Sequence, residues 1–181
     1  MGIRLVLLDR DGVINEEKEG YVRCPTDLIM IPGSTEAIRI LNNANFLSVV
    51  VTNQGAVGRG IIDNAGLKKI HDKLNHELKK AGASIDKIIF CPDHPDQATQ
   101  FRKPGPGMLL QAMDQYKMLP QETVMIGDSL RDLEAAHAAQ CRKILVKTGF
   151  GFKTLDAGIP DSLKPFDVKE NLLDAVNFLV K

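Results

Sequence analysis

At 181 residues, with 44% hydrophobic and 25% charged side chains, the chain has the makeup of one globular domain (1–181) with a substantial core, not of a disordered or fibrous polymer. Its 23 Lys and Arg balance 23 Asp and Glu, so no overall field gathers nucleic acid or an anionic membrane, and affinity for phosphate has to come from a local cluster of cations. Cys24, Cys91 and Cys141 form no paired framework; with no signal-peptide pattern and no apolar run near the ~20 residues of a membrane span, they point to a reducing, cytoplasmic setting.

Leu5 to Leu8 is an apolar run of strand length that ends abruptly in Asp9-Arg10-Asp11-Gly12. Glu16 to Pro32 reads as an irregular polar loop. Ser34 caps a helix through about Asn43, with Ala37, Ile38 and Leu41 facing inward. Leu47 to Val51 is a β-branched strand running into Thr52-Asn53-Gln54-Gly55, and Gly55, Gly58 and Gly60 suggest a flexible turn carrying Arg59. The clearest helix runs from about Asn64 to Ala81 on a Leu67, Ile70, Leu74, Leu78 stripe, with Gly82 at its stop. Ile85 to Cys91 is a third strand, followed by a loop from Pro92 to Pro106 and a helix from about Gly107 to Tyr116. Thr123 to Ile126 is a fourth strand ending in Gly127-Asp128-Ser129-Leu130-Arg131-Asp132. An alanine-rich helix to about Ala139, a strand from Lys143 to Val146, a short strand near Phe166–Val168 and a helix from about Asn171 to Val180 complete the chain. The segment from Thr148 to Pro165 either covers the site or crosses the surface.

This alternation predicts an α/β fold: a doubly wound, mostly parallel sheet with helices on both faces. Parallel strands bring all their carboxyl ends to one rim, where such sheets bind ligands. Four strand ends then carry a carboxylate pair, Thr-Asn, a loop with Arg-Lys, and Gly-Asp. An acidic turn that merely caps a helix explains the first piece alone; it does not explain the convergence.

The four pieces suit phosphoryl transfer. Asp9 is placed to attack phosphorus, and Asp11 to protonate the leaving oxygen and then deprotonate water, a role that favours a carboxyl with a raised pKa. Thr52 and Lys103 offer a hydroxyl and a point charge to the phosphate oxygens. Asp128 completes a Mg²⁺ site with the Asp9 carboxylate and the Asp11 main-chain carbonyl.

With these motifs the sequence resembles the haloacid dehalogenase superfamily of phosphatases. The match is Asp9-Arg10-Asp11-Gly12, Thr52-Asn53, Lys103 and Gly127-Asp128-Ser129-Leu130-Arg131-Asp132, in that order along the chain. Finer features are similar to one branch, the D-glycero-D-manno-heptose 1,7-bisphosphate phosphatases with their histidinol-phosphatase relatives. They are Val13-Ile14-Asn15, Gly20-Tyr21-Val22, Gln54-Gly55, Gly58-Arg59-Gly60, Cys91-Pro92-Asp93-His94-Pro95 and Arg102-Lys103-Pro104. The resemblance implies removal of the 7-phosphate of a heptose 1,7-bisphosphate by a Mg²⁺-dependent phosphomonoesterase. It implies that Arg102 helps recognise substrate and that Glu19, Gly20 and Tyr21 line the pocket beside Asn53 and Gln54. Arg59 either holds the second phosphate or is a solvated loop charge. The gaps between successive motifs, about 40 and 50 residues, already contain core elements and leave no room for a full cap domain. The site is then open to a small sugar phosphate or an exposed terminus; the resemblance implies a small sugar bisphosphate as the partner, no nucleic acid or membrane is expected, and the chain is read as a monomer.

Relatives in this branch often hold a structural zinc with three cysteines and a histidine in the third loop. Here Cys91 remains, but Asp93 stands at the histidine position, with His94 one place late, and Ala98-Thr99-Gln100-Phe101 replaces the Cys-x-Cys. A closed zinc site needs four ligands, so zinc is expected to be absent and the loop to be held by packing of Phe101. His71, His76 and His137 are assigned surface or packing roles, and Asp132 either orients Asp128 or a loop, or lies on the surface. Histidinol phosphate or another small phosphomonoester is the alternative substrate. A phospho-accepting receiver module is the alternative from another class; its phosphorylated Asp should end the third strand, where this chain has Cys91-Pro92.

Overall fold

The computed structural model describes residues 2–181. Six strands form one wholly parallel sheet: β1 (Leu5–Leu8), β2 (Leu47–Asn53), β3 (Lys87–Cys91), β4 (Thr123–Gly127), β5 (Arg142–Val146) and β6 (Asp167–Lys169), in the order β3-β2-β1-β4-β5-β6. Each crossover carries helix: α1 (Ser34–Asn43), α2 (Gly55–Gly58), α3 (Asn64–Lys80), α4 (Gly107–Tyr116), α5 (Leu130–Ala138), α6 (Gly151–Asp156) and, at the end, α7 (Leu172–Leu179). The order runs outward from β1 and then reverses to β4. A doubly wound sheet opens a crevice at the carboxyl ends where that reversal occurs.

The central strands are buried on both faces, as their unbroken apolar runs require. One core lies between alternate strand residues such as Val6, Leu8, Val50 and Ile126 and the stripes of α1, α3 and α7. The other packs Leu5, Leu7, Val49 and Met125 against Met108, Leu109 and Ala112 of α4 and Ala135 and Ala136 of α5. Strand pairing aligns Leu8 with both Val50 and Ile126, which puts the residues after β1 beside the ends of β2 and β4.

Three stretches differ from the sequence reading. Gly55 to Gly58 is a short helix rather than a flexible turn; a Cβ at Gly58 would collide with the backbone of Pro92–His94, so this glycine permits close packing of α2 on the third loop. Thr52 and Asn53 lie within β2, not beyond it. Gly151–Asp156 is helical, although it has no apolar periodicity to reveal it. The 148–165 segment begins against the site: Thr148 Oγ1 donates to Gly12 O (2.6 Å), Phe150 N to Asp128 Oδ2 (2.7 Å) and Thr154 Oγ1 to Asp128 O (3.0 Å). Among the described residues, no helix is long and apolar enough to cross a membrane.

Candidate active site

The crevice at the β1–β4 reversal is a cavity of about 520 Å³. Asp9, Asp11, Thr52, Lys103 and Asp128 lie in its lining, with Glu19, Gly20, Tyr21, Asn53, Arg59 and Arg102 around them. Gly20 and Tyr21 both adopt left-handed backbone conformations (φ 75° each), a kink that carries Tyr21 into the lining. Gln54 is the one expected site residue outside the lining. It is buried, and its amide donates to Asp11 Oδ2 and to Thr52 Oγ1 (2.9 Å each). The Asn53 side chain is also engaged: it donates to Lys103 O (2.9 Å) and accepts from Lys103 N (3.0 Å), tying β2 to the third loop.

The floor is a chain of alternating charges. Lys103 Nζ lies 3.0 Å from Asp9 Oδ2 and 2.6 Å from Asp132 Oδ1. Burial opposes the ammonium charge, but the two carboxylates outweigh it and raise the Lys103 pKa, so the lysine stays charged. Asp132, buried rather than on the surface, spends its other oxygen on Ser129 N (3.0 Å) and Ser129 Oγ (2.6 Å); of the alternatives it takes the loop one, holding the 127–129 turn and Lys103 of the third loop rather than Asp128. Burial, then the neighbouring carboxylates, push Asp9 up to about 6 and Asp128 up to about 8.

That crowding fits a cation. Asp9, Asp128 and Asp132 each offer an oxygen within 4.8 Å of one another. With Asp132 committed to Lys103 and Ser129, Asp9 and Asp128 remain as the oxygen donors suited to a hard ion. Gly12 (φ +79°) makes this approach possible, since a Cβ there would overlap the Asp128 carboxylate.

Asp11 departs from the expectation of a raised pKa. Burial alone would raise it, but the Arg10 guanidinium, aided by hydrogen bonds from Asn15, Arg10 and Gln54, holds the carboxyl below the usual range. Arg10 is 1% exposed and donates to Asp11 through Nε (3.1 Å) and Nη2 (2.8 Å to each oxygen). The adjacent arginine in Asp9-Arg10-Asp11 carried no sequence signal of this inward turn. His71 is likewise buried: it takes the packing role, against the Phe90 ring, rather than a surface one, and its Nε2 also meets Arg10, a contact the sequence does not mark. Glu17 and Arg131 also line the cavity, although the sequence marks one only as part of a polar loop and the other only as part of a motif. Burial, then Asp11 and Asp9, raise the Glu17 carboxyl to about 7.

The third loop is not held by Phe101, which is 41% exposed. Thr99, within the stretch that replaces the Cys-x-Cys, donates to Asp93 Oδ2 from its backbone N (2.8 Å) and its hydroxyl (2.7 Å), and Arg102 Nη1 donates to Asp93 O (3.1 Å). Polar ties bridge the loop because Asp93 faces Thr99 at hydrogen-bond distance. Burial pushes the Cys91 thiol up to about 11.

Residues 100–175 match a family model described as HAD-hydrolase-like. The D-glycero-beta-D-manno-heptose-1,7-bisphosphate 7-phosphatase of Bordetella bronchiseptica is 41% identical over 163 residues, covering 90% of this chain and 91% of the relative. The chain belongs to this phosphatase family. Another family member, the enzyme of the same name from Pseudomonas aeruginosa, is 40% identical over 92% of this chain and 94% of its own. The crystal structure of D,D-heptose 1,7-bisphosphate phosphatase from B. bronchiseptica, complexed with magnesium and phosphate, superposes on this heptose-bisphosphate phosphatase family member with a TM-score of 0.93, 40% identity and 98% coverage of both chains.

Proposed function

We propose that this chain, acting as one domain, is a Mg²⁺-dependent phosphomonoesterase that removes the 7-phosphate of D-glycero-D-manno-heptose 1,7-bisphosphate through an aspartyl phosphate. The observation that carries the reading is a single cavity with a carboxylate and lysine floor and a rim bearing Lys18, Arg59, Arg102 and Arg131. One phosphate meets the floor, and the rim cations suit a second.

Asp9 attacks phosphorus in line, and the bond to the sugar oxygen breaks as Asp11 delivers its proton to that oxygen. Arg10 favours the ionised Asp11 before substrate arrives; a phosphate dianion brought against it raises its proton affinity, and the carboxylate takes from solvent the proton it later delivers. Water then attacks the aspartyl phosphate, and Asp11 takes the water's proton. Lys103 and the Thr52 hydroxyl donate to the non-bridging oxygens, where charge builds. Mg²⁺, held by the Asp9 and Asp128 carboxylates and the Asp11 main-chain carbonyl, shields the nucleophile from the phosphate charge. Glu19, Gly20, Tyr21, Arg59, Arg102 and Arg131 face the sugar and its second phosphate, while Gln54 holds Thr52 and Asp11 in place and Asn53 holds the Lys103 backbone.

Histidinol phosphate, with one phosphate and a cationic amine, suits this arginine-bearing rim less well. A phosphate-release assay with the heptose bisphosphate, histidinol phosphate and simple sugar monophosphates tests the reading; preference for any but the first refutes the substrate assignment. We assign the chain as a cytoplasmic monomer that binds neither nucleic acid nor membrane. The balanced charge and three free cysteines support that assignment, and light scattering of the purified protein tests the oligomeric state.

A further inference from the structure

We propose that His71, on α3 and outside the lining of the cavity, is a positioning residue that sets the orientation of Asp11 through Arg10. His71 Nε2 lies 3.2 Å from Arg10 Nη1, and both side chains are buried, at 8% and 1% exposure. A guanidinium only donates and never loses its charge. Nε2 is therefore the acceptor, and the ring is neutral with its proton on Nδ1. Burial first, and then the charge of Arg10, depress the histidine pKa to about 4, consistent with that neutral form.

Arg10 reaches the solvent nowhere, so the geometry of its fork is set by its two partners. On one side Nε and Nη2 grip the Asp11 carboxylate; on the other Nη1 meets His71. Asn15 Nδ2 (2.8 Å to Oδ1) and Gln54 Nε2 (2.9 Å to Oδ2) also hold Asp11, but each grips a single oxygen. The guanidinium plane fixes the rotation of the carboxylate about its own axis, because it binds both oxygens. Removing the His71 acceptor leaves a buried charged donor unpaired. The guanidinium then tilts to find another acceptor and turns Asp11 with it. The ring itself is steadied by Phe90 of β3, whose centroid is 5.7 Å away with planes tilted by 60°. The packing of α3 on the sheet thus reaches the proton-transfer group two links away.

The proposal rests on the phosphomonoesterase reading, with Asp11 as proton donor. The test compares kcat/KM on an alkyl ester, glycerol phosphate or the heptose bisphosphate, with kcat/KM on p-nitrophenyl phosphate, whose phenolate leaves without a proton. Variants are His71→Leu, His71→Asn and His71→Gln, with exposed His76→Leu as a control. Gln places its oxygen near the Nε2 position; Asn is too short to reach it. His71→Leu is expected to lower kcat/KM on the alkyl ester about tenfold, a fraction of what general acid catalysis supplies, and to leave the aryl ester nearly unaffected. His71→Gln recovers most of the loss, and His71→Asn, which also serves if the leucine variant does not fold, does not. Equal losses on both esters, no loss on either, or no rescue by Gln overturn the proposal while leaving the phosphatase reading intact. A wild-type protein that hydrolyses neither ester overturns the phosphatase reading and this proposal with it.

Discussion

Gly12→Ala separates two effects that its position combines. Gly12 has φ +79°, and a Cβ there would overlap Asp128 Oδ2, approach its Cγ to 2.7 Å and meet Gly149 Cα at 3.1 Å. A side chain in the left-handed region costs about 1–2 kcal/mol, and forced overpacking adds about 1–3 kcal/mol. The total, about 2–5 kcal/mol, corresponds to a melting temperature lower by about 4–20 °C in a chain of this size. Gly60→Ala supplies the comparison: its φ is +67° and nothing lies within 4 Å of a Cβ there. It bears only the backbone part, about 1–2 kcal/mol or about 2–8 °C. Scanning calorimetry measures both losses, and phosphate release with Mg²⁺ measures activity. Gly12→Ala is expected to lose Mg²⁺-dependent turnover because Asp128 must move, and Gly60→Ala to keep it. Equal thermal losses, or full activity in Gly12→Ala, would show that the close approach of Gly12 to Asp128 is not what the site needs.

Asp9→Asn removes the attacking oxygen and is expected to lower turnover by about 10³-fold or more, without lowering the melting temperature, since burial already disfavours the Asp9 charge. Lys103→Met leaves buried Asp132 and part-buried Asp9 without their counter-charge; a loss of about 3–5 kcal/mol is expected in urea unfolding, and a loss below 1 kcal/mol argues against the charge chain of the floor. In metal-free protein, the Asp128 carboxyl titrates at about 8 against an ordinary 3.8. Folding then favours its protonated form, so that contribution is full below the ordinary value and is lost as pH rises through about 8. Melting temperature measured across that window should fall in metal-free wild type, recover with Mg²⁺ at the upper end, and vary less with pH in Asp128→Asn. For the third loop, elemental analysis of protein purified without added metal should find no stoichiometric zinc; one zinc per chain refutes the assignment.

Local pattern determined much of this protein. The run Leu5–Leu8 before Asp9, the β-branched Val49–Val51 and the Leu67-Ile70-Leu74-Leu78 stripe each select one conformation through period and propensity, and parallel alternation then fixes which strand ends share a rim. That is why Asp9, Asp11, Thr52, Lys103 and Asp128 could be grouped from the sequence. What only the tertiary structure decided is the direction and partnership of side chains at close quarters. Arg10 is flanked by two acidic residues, and nothing in its neighbours states that it turns inward to His71, 61 positions on. Asp132, in the first turn of α5, pairs with Lys103 of the third loop, and Asp93 ties to Thr99 in place of packing by Phe101. Periodicity reports which face of an element is buried, whereas the charge state of Asp11 depends on how the side chains of its neighbours Arg10 and Asn15 turn and on a donor brought in by Gln54, 43 residues on, and that arrangement exists only once the chain has folded.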